Sequence, residues 1–229
     1  SSLLDSMAHD LKTPLTAIRV AASNLQADWA TADDHRTQSD IVLDEVARLS
    51  ELFDHMLQMA RIETKAVVPA AEWVTPGEIV DAALGEVRRQ LSGRRLVVTS
   101  DDAHAVHVDP RLTSSALAHL VENAVQYSES GSTVTVSAAV AENGLTLSVD
   151  DEGPGLSKAE IGHVFDRYFR GRAGAARPAG AGMGLAVVRG LVEAQGGAVS
   201  ATNREERGSR FTIRIPAASR TVPSSDDEP

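Results

Sequence analysis

Apolar side chains recur at alternating steps of three and four residues along the first part of the chain. From about Leu3 to Leu25 they occupy two heptad rows: Leu4, Leu11, Ile18 and Leu25, and Met7, Pro14 and Ala21. From about Asp34 to Glu63 the same spacing recurs at Val42, Val46, Leu49, Phe53, Met56 and Ala60, and the stripe is widened by Leu43, Leu52, Leu57 and Met59. This spacing predicts two helices, each with an apolar seam. The stripes are wider than one antiparallel neighbour can cover, so we expect the hairpin to form a dimeric four-helix bundle.

The pattern changes near residue 65. We predict a first domain at 1–65, a linker at 66–72, a second domain at 73–218 and a disordered acidic tail at 219–229. In the second domain we predict strands at Glu72–Val74, Arg95–Ser100, Ala105–Val108, Thr133–Val140, Leu145–Asp150, Ala198–Asn203 and Arg210–Ile215. We predict helices at Pro76–Leu91, Asp109–Ser128, Ser157–Phe165 and Met183–Gln195. Strands mixed with helices in this way indicate an α+β sandwich, a mixed sheet covered by helices.

Composition narrows the function classes. The 229 residues include no Cys, which excludes disulfides and thiolate metal sites, and the net charge of −10 argues against nucleic acid or anionic membrane as a partner. No apolar run approaches the roughly 20 residues of a membrane span. The chain starts without Met, inside a helical pattern. We therefore expect a cytoplasmic fragment of a longer protein.

The first helix carries a candidate nucleophile. In the heptad frame His9 takes an outward position, so a role in the helical core is unfavourable, and Thr13 shares its face one turn later. Asp10 adjoins the histidine in sequence. A neighbouring carboxylate can hold the proton on one ring nitrogen and leave the other free to attack an electrophile. The other histidines form no cluster with the spacing of metal ligands: His35, His55, His104, His107 and His163.

The second domain contains four short motifs that suit nucleotide binding. An Asn in an otherwise apolar helix, Asn123, offers an amide oxygen suited to a hard cation, and glycines before a helix offer backbone N–H groups to phosphate. An Asp at a strand end, Asp151, offers a hydrogen-bond acceptor where the following glycines let the backbone approach a ligand. The four motifs are Leu120–Ser128, Asp151–Gly155, Val164–Arg170 and Gly180–Leu185.

Together these motifs resemble those of one family. His9-Asp10-Leu11-Lys12-Thr13-Pro14 resembles the H-box of the sensor histidine kinases of two-component signalling, and the four later motifs resemble the N-, G1-, F- and G2-boxes in the family order. The H-box neighbourhood looks somewhat like that of the potassium-sensor subgroup. The resemblance extends from His9 to about Ile215 and implies a phosphotransfer hairpin followed by a Bergerat-type ATP-binding domain.

The resemblance also implies an activity and its residues. We expect autophosphorylation of His9 with ATP and Mg²⁺, then phosphotransfer to an aspartate of a response regulator, by a homodimer whose membrane attachment lies in N-terminal regions outside this sequence. The implied catalytic residues are His9, Asp10 and Thr13, where Thr13 positions water for dephosphorylation of the regulator. The implied nucleotide-binding residues are His119, Asn123 (also the Mg²⁺ ligand), Gln126, Tyr127, Asp151, Gly153, Gly155, Arg167, Arg170, Gly180, Gly182, Met183, Gly184 and Leu185. A lid over the nucleotide is expected at Gly171–Ala179.

Two departures from the family pattern leave alternatives open. His119 stands where the first Asn of the N-box is usual, and Gln126 stands where a Lys or Arg usually touches phosphate. A phosphatase-dominant enzyme and a dimeric scaffold with a degenerate nucleotide site are the two main alternatives. An ATPase of the chaperone or topoisomerase type would share the second domain but would not need the helix that bears His9.

Overall fold

The structure, a computed structural model, describes residues 2–26, 31–64, 66–171 and 182–222, without the side chains of residues 2–10 and Glu51. The chain divides into two compact units, residues 1–58 and 59–229. The predicted domain boundary at residue 65 and the linker at 66–72 stay predictions. No helix in the described ranges is long and apolar enough to cross a membrane.

Two long helices make up the N-terminal part of the chain. Helix α1 spans Ser2–Leu25 and continues through Pro14, and helix α2 spans Ala32–Glu63. Helix α2 begins two residues before the predicted start because Thr31 caps it: the Thr31 Oγ1 accepts from the backbone N–H of Asp34, and the Asp34 carboxylate accepts from the N–H of Thr31. Reciprocal bonds of this kind satisfy N–H groups that lack a partner within the helix.

Apolar side chains on α2 are exposed in the single chain. Leu43 is 66% exposed, Phe53 56%, Leu57 55% and Val46 47%. All four belong to the apolar stripe that the heptad pattern identifies. A stripe of this width on an amphipathic helix is stable in water only when a second surface covers it.

The second unit contains a five-stranded sheet with helices on one face. The sheet consists of β2 (Arg95–Ser100), β4 (Thr133–Ala141), β5 (Gly144–Asp150), β6 (Ala198–Asn203) and β7 (Ser209–Ile215) in the order β2-β4-β5-β7-β6, and only the β2–β4 pair is parallel. Helices α3 (Pro76–Glu86), α4 (Pro110–Tyr127) and α6 (Gly184–Glu193) pack on the sheet. Alternate strand residues, such as Val134 and Val136, are fully buried against these helices. The predicted α+β sandwich is confirmed.

A second sheet has three strands. Strand β3 (His104–Val108) pairs on one side with β1 (Glu72–Val74) and on the other with β8 (Ser219–Thr221), both antiparallel. The sequence did not predict β8, and the predicted disordered tail at 219–229 is corrected at its start, since 219–221 form this strand. The strand is only three residues long, and its partner lies more than 100 positions earlier. Residues 223–229 lie outside the described part.

Two helices are shorter than predicted. Helix α3 ends at Glu86 instead of Leu91, because burial of apolar side chains stops at Val87 and the next three residues are exposed. Helix α5 covers only Lys158–Ile161 instead of Ser157–Phe165. Ser157 caps it as expected, but Gly162 follows directly, and glycine stabilises a helix poorly. The chain continues as turns to Asp166.

Candidate functional site

Asp151 lies at the centre of the candidate site, directly after strand β5. Its side chain is buried, with 2% of the residue surface exposed. Its Oδ1 accepts hydrogen bonds from the backbone N–H of Gly153 at 2.7 Å and of Ser209 at 3.1 Å. Among the described residues no hydrogen bond reaches Oδ2. Oδ1 therefore holds the turn and the start of β7 in place, and Oδ2 can accept a hydrogen bond from a ligand.

Burial sets the protonation of Asp151. Removal of the carboxylate from water raises its pKa, and the hydrogen bonds from Gly153 and Ser209 oppose this rise without cancelling it. A buried acceptor with a perturbed pKa is typical of a binding or catalytic site. A carboxylate in this setting suits the exocyclic amino group of a purine.

The loop between β6 and β7 contacts the backbone of Asp151. Gly208 has φ +96°, and a Cβ there would lie 1.9 Å from the carbonyl oxygen of Asp151. The same carbonyl accepts a 2.9 Å hydrogen bond from Arg204 Nη1. Arg204, Gly208 and Ser209 were not predicted from the sequence as part of the site. The only signal was a Gly-Ser pair before a predicted strand, which is too common to indicate a site.

Helix α4 presents the predicted N-box residues on one stripe. Leu120, Val121 and Ala124 are buried in the core. The opposite stripe consists of half-buried residues at helical spacing: His119, Asn123, Gln126 and Tyr127. Since the core fixes the helix rotation, these four side chains are held along one face.

The side chains of His119 and Asn123 differ in their hydrogen bonding. His119 Nδ1 lies 3.1 Å from Oε2 of Glu122, so a carboxylate orients the ring. The side-chain amide of Asn123 has no hydrogen-bond partner in the described part of the chain, although a side-chain amide on a helix usually finds one. Its free oxygen is of the donor type that Mg²⁺ prefers, and the residue therefore fits a magnesium site.

The turn after β5 meets the end of α4. A Cβ at Gly153 would lie 2.9 Å from the carbonyl oxygen of Tyr127, and Gly155 lies beside Asn203 at the end of β6. Helix α4 also packs against α6 and β5. The predicted N-box and G1-box residues are therefore neighbours in the second unit.

Helix α6 begins with the predicted G2-box. Met183 is buried at its N-cap position without a side-chain hydrogen bond to the helix, and Gly184 and Leu185 form the first turn. The free N–H groups of such a helix start can bind phosphate. The backbone N–H of Tyr168 donates a 3.0 Å hydrogen bond to the carbonyl oxygen of Gly182. Gly180 and most of the predicted lid lie outside the described residues.

Phe165 and Asp166 of the predicted F-box pack against neighbouring elements. Phe165 meets Phe211 edge-on, with ring centroids 6.1 Å apart. Asp166 lies 2.8 Å from His163 Nδ1 and accepts from Arg189 of α6 at 3.0 Å. These two contacts lower the pKa of Asp166, His163 more than Arg189.

The two predicted arginines of the F-box are both exposed. Arg167 forms an ion pair with Glu63, and Arg170 lies near the end of the described segment. The structure therefore places the Arg167 guanidinium against an acidic side chain of its own chain. Its predicted contact with nucleotide stays a prediction.

The candidate phosphoacceptor lies in the N-terminal unit. His9 and Asp10 belong to α1, and their side chains lie outside the described part. Thr13, one turn after His9, is exposed on the same helix. The roles of these three residues stay predictions.

Both parts of the chain match known family models. The His Kinase A (phospho-acceptor) domain matches residues 1–65, and the histidine kinase-, DNA gyrase B-, and HSP90-like ATPase matches residues 108–219. The chain is 34% identical over 217 residues to the sensor protein KdpD of Escherichia coli K12, an alignment that covers 94% of this chain and 24% of KdpD. The chain thus spans about a quarter of the length of that relative.

Solved structures share the fold. The mycobacterial sensor histidine kinase MprB is 30% identical with a TM-score of 0.58, over 66% of this chain and 100% of that one. The histidine kinase ThkA, in a complex with the response regulator protein TrrA, is 17% identical with a TM-score of 0.77, over 95% of this chain and 62% of that one; this likeness concerns the fold alone. A phosphoacceptor domain followed by an ATPase domain, with the motifs in family order, shows that the chain belongs to the sensor histidine kinases.

Proposed function

We propose that this chain autophosphorylates on His9 with ATP and transfers the phosphoryl group to an aspartate of a response regulator. The observation that carries the proposal is the buried Asp151, whose Oδ1 is held by two backbone N–H groups while Oδ2 accepts no hydrogen bond from the described residues. This carboxylate belongs to the same chain as an H-box, and each lies within its matching family model.

The second unit binds the nucleotide. Oδ2 of Asp151 accepts a hydrogen bond from the adenine amino group. The uncapped start of α6 donates backbone N–H groups to the phosphates. Asn123 would hold Mg²⁺ through its amide oxygen, and the ion would neutralise phosphate charge. His119 and Gln126 lie on the same stripe of α4 and complete the wall of the site.

His9 is the nucleophile. One ring nitrogen forms a bond to the γ-phosphorus while the bond from that phosphorus to the β–γ bridging oxygen breaks, and ADP leaves with the electron pair. Asp10 keeps the proton on the other ring nitrogen, so the attacking nitrogen has a free lone pair. Positioning and charge neutralisation supply the catalysis, as in other phosphoryl transfers.

The phosphoryl group then moves to the regulator. A carboxylate oxygen of the regulator attacks the phosphorus, and the His9 nitrogen is the leaving group. Thr13 is exposed one turn from His9. We infer that it orients the water molecule that hydrolyses the phosphoryl group on the regulator, which ends the signal. The family relative ThkA is known in a complex with a response regulator, which supports this class of partner.

The active form is a homodimer. Four large apolar residues of α2 are at least 47% exposed in the single chain, and the phosphoacceptor family model covers the same helices. A four-helix bundle of two hairpins would cover them.

Incubation with γ-labelled ATP and Mg²⁺ tests the proposal. We expect wild-type protein to incorporate label that is labile to acid, and the His9→Gln variant to incorporate none while it binds ATP normally. His35→Gln is the matched control, because His35 is an exposed histidine on the other helix of the hairpin. Label on the His9→Gln variant would refute the assignment of the nucleophile. ATP hydrolysis without a labelled wild-type protein would favour an ATPase of another type.

A further inference from the structure

Strand β2 forms an open apolar edge of the five-stranded sheet. It pairs with β4 over six consecutive residues, and within the described ranges no strand pairs with its other side. Leu96 is 36% exposed, Val97 40% and Val98 43%. The opposite edge strand, β6, carries mainly Ala, Ser, Thr and Asn. Natural proteins protect open edges with charges, prolines or bulges, and the centre of β2 has none of these.

The backbone direction of β2 is fixed by two hydrogen bonds. Arg95 donates its N–H to Ser132 and Asp101 donates to Ala138, both at 3.0 Å and both toward β4. Because N–H directions alternate along a strand, Leu96, Val98 and Ser100 direct their N–H and C=O groups away from the sheet. A new strand can pair only through these three residues.

The charges that flank β2 are complementary in reverse order. The sequence Arg94-Arg95 precedes the apolar segment and Asp101-Asp102 follows it. An antiparallel copy of the same strand, with Val98 opposite Val98, pairs Leu96 with Ser100 through the free N–H and C=O groups. The same register places Arg95 opposite Asp101 and Arg94 opposite Asp102. Backbone direction and charge therefore select one register.

We propose that β2 is an interaction surface for a second copy of this chain, which adds its own β2 in antiparallel orientation. The contact is two-fold symmetric and joins the two five-stranded sheets into one. Leu96 and Val98 lie on the helix-covered face of the sheet, as do their β4 partners Val134 and Val136. In the proposed contact the second copy buries the part of Leu96 and Val98 that is exposed in the single chain. This inference does not depend on the proposed activity.

The two charge pairs at each end of the proposed contact, Arg95–Asp101 and Arg94–Asp102, differ in the hydrogen bonds that their side chains already make within one chain. The side chain of Arg95 is exposed and has no hydrogen-bond or ion-pair partner among the described residues, so its guanidinium is available. Asp101 lies 3.1 Å from His104 Nδ1 and can accept a further bond. Arg94 already donates to the carbonyls of Val125 and Ser128, so the Arg95–Asp101 pair contributes most of the charge complementarity.

A single introduced cysteine tests the register, because the chain has none of its own. In the proposed pair the two Val98 Cα atoms lie about 5.5 Å apart, within disulfide range. The Val98→Cys variant of this chain should form a covalent dimer under mild oxidation, seen on a non-reducing gel. Thr202→Cys, at an exposed position on the β6 edge, is the matched control and should cross-link at least about tenfold more slowly.

A charge reversal completes the test. Arg95→Glu in the Val98→Cys background places like charges at both ends of the contact and should slow cross-linking about fivefold. Thermal melts of each variant serve as the folding check. Equal rates for Val98→Cys and Thr202→Cys would overturn the proposal, and an unchanged rate with Arg95→Glu would overturn the register. Neither outcome affects labelling of His9, which tests the proposed function separately.

Discussion

The backbone N–H of Ser209 donates a 3.1 Å hydrogen bond to Oδ1 of Asp151, which lies 58 positions earlier in the chain. This bond ties the start of β7 to the turn after β5. It orients the carboxylate so that Oδ2 is left for a ligand. The geometry of the proposed nucleotide site therefore depends on a loop that carries no recognisable nucleotide motif.

Gly208→Ala should disrupt this arrangement. A Cβ at residue 208 would lie 1.9 Å from the Asp151 carbonyl oxygen, and its φ of +96° strains any other residue. We expect a loss of about 2–4 kcal/mol in the free energy of unfolding and weaker nucleotide binding. Gly131→Ala is the matched control, since φ is +80° there but nothing lies within 4 Å of the added Cβ. Similar denaturation curves for the two variants would contradict the role of Gly208.

Asp151→Asn should weaken nucleotide binding while it preserves the turn. The Asn oxygen can still accept hydrogen bonds from Gly153 and Ser209. The Asn side-chain nitrogen, which replaces Oδ2, is a donor and would face the adenine amino group, which is also a donor. A lost hydrogen bond to a charged group costs about 1.5–3 kcal/mol, or about one to two decades in affinity. Titration with a fluorescent ATP analogue measures the change. Affinity equal to wild type would show that adenine does not bind at Asp151.

The raised pKa of Asp151 predicts two opposite pH trends. Above that pKa the folded carboxylate is ionised and carries the desolvation cost of burial. As the pH falls through the raised pKa, the folded chain takes up a proton before the unfolded chain does, so the unfolding free energy of wild type rises relative to Asp151→Asn. Nucleotide affinity should fall over the same pH range, because a protonated carboxyl is a poorer acceptor. Denaturation and binding measured on both proteins across acidic pH check this, and parallel trends would contradict it.

Asn123→Asp should change metal dependence more than nucleotide affinity. The added charge faces a site that binds phosphate, and the amide oxygen that we assign to Mg²⁺ is replaced by a carboxylate. We expect autophosphorylation to fall at least about tenfold with a shifted Mg²⁺ requirement, and ATP binding without Mg²⁺ to weaken by a smaller factor because the carboxylate repels the phosphates. Asn143→Asp, in the exposed β4–β5 turn, is the control. An unchanged Mg²⁺ titration would remove Asn123 from the metal site.

Phe53→Glu should weaken the hairpin dimer. Phe53 is 56% exposed in the single chain and is the largest residue of its heptad row. Truncation of a core Phe costs about 3–5 kcal/mol, and a carboxylate without a partner costs more. Sedimentation at micromolar concentration should show loss of the wild-type dimer, while ATP binding by the second unit persists. Glu45→Gln, a charge change on the same helix, should leave the dimer intact. A Phe53→Glu variant that sediments like wild type would place the seam elsewhere.

The sequence by itself determined the kind of every helix and strand described above except β8, and the position of each motif. Heptad spacing indicated α1 and α2, and alternation indicated β4 and β5, because both periods report directly which side chains face a buried surface. The motif pattern located Asp151, Asn123 and the α6 start, and family membership followed from their order. Helices α3 and α5 end earlier than predicted, because packing outweighs local helix propensity near Val87 and Gly162.

Only the tertiary structure decided which distant residues complete the site. Ser209 and Gly208 reach Asp151, and β8 pairs with β3, across intervals in which the sequence contains no matching signal. The open edge of β2 became visible only with the strand order. A period in sequence reports the face that a residue presents, whereas a backbone hydrogen bond between strands depends on the path of the whole chain.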